Sequence, residues 1–168
     1  PPITTIRPQI VSAVRSYVRG LDRELEDGRG LWLFGPVGTG KTSLAMLVSE
    51  AALSAGHSVA VYSLPRLLAE IRTTFDENAA SSYTGLLDRL TSVDLLHIDD
   101  VGAEKTSPWV LEQLYAVINA RYEDERSVLI TTNLTLEERA EQIRARTASR
   151  LEQMCDIVPM MGHDRRPV

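Results

Sequence analysis

Leu31-Trp32-Leu33-Phe34-Gly35-Pro36-Val37-Gly38-Thr39-Gly40-Lys41-Thr42 decides the fold. Its first four residues are wholly apolar, as expected of a short strand buried on both faces. The next eight fit G-x-x-x-x-G-K-[ST], and an apolar-faced helix is expected from Lys41 to about Ala55, with Gly56 as its C-terminal stop. The glycines let the backbone curl until successive N–H groups face inward as an anion nest, and the helix N-terminus adds its positive dipole end. In such a loop Lys41 reaches the β- and γ-phosphates of a nucleotide and the Thr42 hydroxyl ligates Mg²⁺. Gly35, Pro36, Val37, Gly38, Thr39, Gly40, Lys41, Thr42 and Ser43 are therefore assigned to nucleotide binding. With 10 Gly, two Lys and 26 Ser+Thr in 168 residues, random order yields this pattern roughly once in a thousand chains. The competing reading is a glycine-rich turn with no ligand.

Outward from the loop, strands and helices alternate. Upstream, Ile10, Val14, Tyr17/Val18, Leu21 and Leu25 recur at spacings of three and four, predicting one amphipathic helix from Pro8 towards Glu26. Downstream, strands are expected at Ser58–Tyr62, Val93–Ile98, Val128–Thr132 and Asp156–Met160. Helices are expected at Leu64–Phe75, at Tyr83–Leu90, after Ser107-Pro108, after the capping box Thr135-Leu136-Glu137-Glu138, and over 144–153. This alternation implies an α/β fold, a mainly parallel sheet covered on both faces, with loops gathered at the carboxyl ends of the strands. Residues 1–29 read as an extended segment and linker helix, and 30–168 as the core.

Three further groups fall at those carboxyl ends. Leu95-Leu96-His97-Ile98-Asp99-Asp100 places two carboxylates where a strand stops. Beside a phosphate loop, Asp99 is placed to hold Mg²⁺ and Asp100 to orient or deprotonate an attacking water; the alternative is an exposed Asp-Asp turn. Asn133 follows the strand Val128–Thr132 and offers a carboxamide to the γ-phosphate or the lytic water, or else serves as a turn former. Arg146 and Arg150 share a helix face at i,i+4 spacing. One of them reaches a phosphate on a neighbouring subunit, or both belong to a solvated face paired with Glu141 and Glu152. Trp32, Trp109, His97, Cys155 and Met160 are read as packing residues, and Glu104 either approaches the metal site or is an exposed acid just before a helix.

The chain carries 18 Lys+Arg against 23 Asp+Glu, a net charge of −5. Only Lys41 and Lys105 are lysines; the other 16 cations are arginines, most of them assigned to the surface. Six of those arginines and four acids fall in residues 139–168, a local +2 that allows weak contact with nucleic-acid phosphates. No apolar run approaches the ~18 residues of a membrane span, and no leader resembles a signal peptide. A lone Cys155 suits a reducing compartment, so a cytoplasmic location is expected. Scattered His57, His97 and His163 do not suggest a zinc site.

Taken with the phosphate loop, the stretches 95–104 (Leu-Leu-His-Ile-Asp-Asp-Val-Gly-Ala-Glu), 130–134 (Ile-Thr-Thr-Asn-Leu), 149–151 (Ser-Arg-Leu) and 162–166 (Gly-His-Asp-Arg-Arg) resemble the DnaC/IstB family of AAA+ ATPases, bacterial helicase loaders and helper ATPases of transposition. The resemblance implies a three-layer αβα P-loop NTPase core with a five-stranded sheet in the order 5-1-4-3-2. It implies ATP and Mg²⁺ as cofactors, Asn133 as sensor 1, Arg150 as arginine finger with Arg146 beside it, and Arg165 or Arg166 in the sensor-2 role. An ATP-dependent homo-oligomer that loads a replicative helicase on single-stranded DNA is the implied biology, with a transposition helper as alternative. Residue-level alternatives from other classes are a small-molecule kinase and a nucleotide-gated binding module. Neither the C-terminal lid usual in AAA+ proteins nor the N-terminal helicase-binding region of loaders is expected within these residues. One departure stands out: Asp99-Asp100 where many AAA+ proteins have Asp-Glu, leaving the second carboxylate one methylene shorter.

Overall fold

β1 (Gly30–Phe34) is buried at every position because parallel strands flank both its edges: β4 (Ser127–Thr132) on one side and β5 (Cys155–Pro159) on the other. β3 (Leu95–Val101) pairs with the far edge of β4, and β2 (Val59–Ser63) closes the sheet beyond it. The order is therefore 5-1-4-3-2, all parallel, as expected. The computed structural model describes residues 7–76, 78, 82–102, 107–133, 143 and 145–160. The capping box at Thr135–Glu138 and the residues Glu104, Lys105, Arg144, Arg165 and Arg166 lie outside them.

Side chains alternate across the strands and so divide the core between two helical layers. Leu31, Leu33, Leu95 and Leu129 face α1 (Pro8–Arg19), α2 (Leu21–Glu26) and α3 (Lys41–Ser54). Trp32, Leu96, Ile98, Val128 and Ile130 face α4 (Leu64–Thr73), α5 (Tyr83–Ser92), α6 (Pro108–Glu123) and α7 (Ala145–Met154). Trp32 is a core residue, as the sequence suggests, and its indole N–H donates to Thr132 Oγ1 at 2.7 Å. Tight packing at the sheet centre explains Gly30: a Cβ there would lie 1.9 Å from the Val128 carbonyl oxygen. Ser63, Ser82 and Ser107 each cap a helix, accepting from Arg66, Gly85 and Val110 N–H respectively.

Three local expectations change. The helix from Pro8 breaks at Gly20, because glycine in a helix interior costs about 1 kcal/mol relative to alanine. Ile10, Val14, Tyr17, Leu21 and Leu25 nevertheless stay on one buried face across the break. β3 runs to Val101, so the acidic pair lies inside the strand, at a register shift between Ile98 and Val101. Finally, Arg121 is not at the surface but fully buried on α6. Its guanidinium donates to the carbonyls of Leu90, Thr91, Val93, Asp94 and Ser127 at 2.5–3.2 Å, tying the end of α5 to the starts of β3 and β4. Burial, followed by nearby Arg126, pulls Arg121 down to about 10 against Asp94 and Asp124, so it stays charged at neutral pH. Among the described residues no helix is long and apolar enough to cross a membrane.

Candidate functional site

The parallel sheet brings the ends of β1, β3 and β4 side by side, and the predicted residues collect there. Gly35 leaves β1 with its N–H on the Thr132 carbonyl (3.1 Å), while Met160 N–H bonds Phe34 (2.7 Å). A Cβ on Gly35 would come within 2.6 Å of the Met160 carbonyl oxygen. Gly38 and Gly40 then take left-handed φ of 82° and 89°, which turns the chain into α3 without a Cβ clash. Pro36, Val37 and Gly38 form the exposed tip; Thr39, Gly40 and Lys41 are buried beneath it. Thr42 and Ser43 occupy the exposed first turn of α3.

Lys41 is 5% exposed, and its ammonium donates to Pro36 O at 2.8 Å and approaches Thr39 Oγ1 at 3.5 Å. Burial lowers its affinity for the proton, with Asp100 and Asp99 pulling the other way. A cation stripped of water beneath a glycine-rich loop is suited to a phosphate.

Asp99 meets α3 across the sheet edge: Thr42 Oγ1 donates to Asp99 Oδ2 at 3.1 Å, and Thr131 Oγ1 donates to Oδ1 at 2.6 Å. Burial works to raise Asp99, but the neighbouring His97 ring and hydrogen bonds from Thr131 and Thr42 outweigh it and hold the carboxyl below its usual range. An ionised carboxylate beside a hydroxyl is the hard-oxygen donor pair that Mg²⁺ takes when substrate phosphates supply other ligands. The residues present therefore fit that ion, with Thr42 and Asp99 as its protein partners.

Asp100 stands in the bulge with φ of 61°, a left-handed conformation rare for a non-glycine residue. Its N–H donates to Thr131 Oγ1 at 2.9 Å, so one threonine hydroxyl holds both acids. Backbone strain of this kind concentrates at working sites. Asn133 is half-buried and follows Thr132, which is registered against both Phe34 and Val101, so it leaves the sheet between the phosphate loop and the acidic strand.

The arginines are not gathered with the rest. Arg150 lies over the Tyr122 ring at 4.6 Å and gives its Nε–H to Asn119 Oδ1 at 3.1 Å; exposed Arg146 lies 4.2 Å from the Tyr115 ring centroid. Both are held on α7 against α6 of their own chain. Sequence reading passed over Thr131 and treated His97 as packing, although both contact Asp99. The available signal was polar side chains at alternate positions of otherwise apolar buried strands.

Comparison with known proteins agrees with this arrangement. The family described as IstB-like ATP binding protein matches residues 14–166. The replicative helicase loader DnaC of Escherichia coli (strain K12) is 28% identical over 142 residues, covering 84% of this chain and 56% of that protein. The insertion sequence IS21 putative ATP-binding protein of Pseudomonas aeruginosa is 30% identical over 129 residues, 77% of this chain and 47% of that one. A crystal structure of the DnaC helicase loader has a TM-score of 0.77 at 25% identity, covering 90% of this chain and 88% of that chain. The chain spans about half the length of the curated relatives it matches, 56% and 47% in these two cases. A match running from Val14 to Arg166, on a sheet of this order and with this loop, is decisive: the chain belongs to the IstB-like ATP-binding proteins and carries the AAA+ form of the P-loop NTPase fold.

Proposed function

We propose that this chain is the ATPase unit of a replicative helicase loader, hydrolysing ATP between subunits of a homo-oligomer on single-stranded DNA. The observation that carries the hydrolytic part is the Asp99 carboxylate joined to both Thr42 and Thr131, with the Asp100 N–H on the same Thr131 hydroxyl, beside the phosphate loop. In this reading the loop N–H groups and Lys41 bind the β- and γ-phosphates. Thr42 and Asp99 hold Mg²⁺, which supplies charge neutralisation on the phosphate oxygens. Asp100 accepts a hydrogen bond from the attacking water and takes its proton as the oxygen–phosphorus bond forms and ADP leaves. The bulge and the bond of its N–H to Thr131 fix the backbone that carries this shorter carboxylate. Asn133 is assigned to the γ-phosphate or the water.

Arg150 would act on a neighbour's nucleotide. Its packing against α6 supports that role, since a guanidinium pre-oriented by Tyr122 and Asn119 loses less freedom when it meets a phosphate. Contact with single-stranded DNA draws support from Phe75, 60% exposed just past the end of α4 and stacked on half-buried Tyr83 at 5.5 Å, near Arg72, which lies over the Trp109 ring. Exposed aromatics beside cations suit base stacking. The likeness to DnaC supports a helicase partner, and the likeness to the IS21 protein favours a transposition helper as the second reading. Nothing in the site favours the small-molecule kinase. The experiment is a pull-down with the full-length protein in ATP and in ADP. Nucleotide-dependent recovery of a replicative helicase is expected; recovery of a transposase would replace loader by helper, and recovery of neither would overturn both.

A further inference from the structure

Among the described residues, the buried side chain nearest the acidic pair that this chemistry does not use is a histidine. His97 sits on β3 two residues before Asp99, fully buried, on the sheet face that α3 covers. Its Nδ1 lies 3.0 Å from Ser49 Oγ, a buried residue of α3. Nε2, on the opposite edge of the ring, lies 3.5 Å from Asp99 Oδ1 and makes no hydrogen bond. A buried polar nitrogen left without a partner is costly, and here it is aimed at a carboxylate. An ionised carboxylate only accepts, so the tautomer that suits this placement carries its hydrogen on Nε2. Nδ1 of the neutral ring is then an acceptor, and the Ser49 hydroxyl donates to it.

Asp99 is thereby approached unevenly. Oδ1 faces Thr131 at 2.6 Å and the His97 ring at 3.5 Å, with Thr42 at 3.4 Å, whereas Oδ2 is the oxygen nearer Thr42, at 3.1 Å. Resting on the proposed Mg²⁺-dependent ATP site, we propose that His97, tethered by Ser49, is a positioning residue that keeps Oδ1 of Asp99 turned inward and Oδ2 presented beside Thr42. The contact at 3.5 Å acts through the N–H dipole in a dry interior, where such fields are weakly screened. Ser49 lies on the helix that begins at the phosphate loop, so the same ring links that helix to the acidic strand. Outer partners of this kind commonly change metal affinity by 10–100-fold when removed.

The test uses His97→Gln, which keeps an N–H near the Nε2 position, and His97→Asn, which reaches only the Ser49 side. In each, a fluorescent ATP analogue is titrated at increasing Mg²⁺ and again in EDTA, and long-range ¹H–¹⁵N spectra of the nucleotide-free wild type report the His97 tautomer. Expected are an Nε2-protonated ring, a Gln variant close to wild type, and an Asn variant needing about 10-fold more Mg²⁺, with metal-free binding alike in all three. Ser49→Ala, which leaves the ring in place, is expected to fall between them and serves if both histidine variants fail to fold. An Asn variant with wild-type Mg²⁺ dependence, a Gln variant as poor as Asn, metal-free binding falling in step with melting temperature, or an Nδ1-protonated ring would overturn the proposal. Mg²⁺-independent binding by the wild type would instead overturn the reading of the site itself.

Discussion

Replacing Thr131 by valine keeps the shape of a fully buried side chain and deletes one hydroxyl. That hydroxyl donates to Asp99 at 2.6 Å and accepts the Asp100 N–H at 2.9 Å. A hydrogen bond to a charged group contributes about 1.5–3 kcal/mol, and a partly buried N–H left without an acceptor costs about 1 kcal/mol. Thr131→Val is therefore expected to destabilise the fold by about 3 kcal/mol at pH 7, read by urea unfolding. The pH dependence has a definite sign. Asp99 is held below its ordinary range, so its stabilising effect is present above the unfolded carboxyl value and is lost as pH falls through the folded one. Removing Thr131 raises Asp99 back towards the ordinary value, so the gap between wild type and variant should begin to shrink below pH ~4 and approach about 1 kcal/mol once the pH is below the folded value. A loss under about 0.5 kcal/mol at pH 7, or one unchanged by acid, would refute the idea that this hydroxyl organises the two acids.

Two other substitutions separate structural from functional arginines. Arg121→Met leaves five carbonyls without their donor and should cost about 3–5 kcal/mol in urea unfolding; a loss below about 1 kcal/mol would show that water replaces the guanidinium. Arg150→Ala should keep the ATP affinity of the isolated chain in equilibrium binding, while partner-stimulated turnover falls by about 10³-fold or more. Equal loss of binding and turnover would argue against a role in trans.

Much of this site was legible before any coordinates. Gly35–Thr42 could be placed because the loop's geometry needs glycine at fixed offsets and an apolar strand before it, and Asp99 because a carboxylate after an apolar run, beside a phosphate loop, suits a metal better than a turn. Strand order came from the family resemblance, not from periodicity, which says which segments are strands but not which are neighbours. Gly20 shows the limit of periodicity in another way: apolar spacing survives the helix break, so the face was right and the element count wrong. The bulge at Asp99-Asp100 left no mark in the residue pattern, because it depends on Thr131 arriving from another strand 32 residues later. Arg121 escaped for the same reason, since five carbonyls from three segments converge only after folding. His97 and Thr131 were visible as polar residues in apolar strands, a sign that something polar lies within reach but not what it is.

Every role proposed for this site requires that Lys41 and the loop around it bind the phosphates of ATP, with Mg²⁺ held between Thr42 and Asp99. Calorimetric titration of ATP into wild type and Lys41→Ala, each with Mg²⁺ and with EDTA, tests this most directly. Wild-type binding should be tighter with Mg²⁺ than without it, and Lys41→Ala should lose most of the affinity in both conditions while remaining folded. Wild-type affinity in the Lys41→Ala protein, or binding indifferent to Mg²⁺, would contradict it.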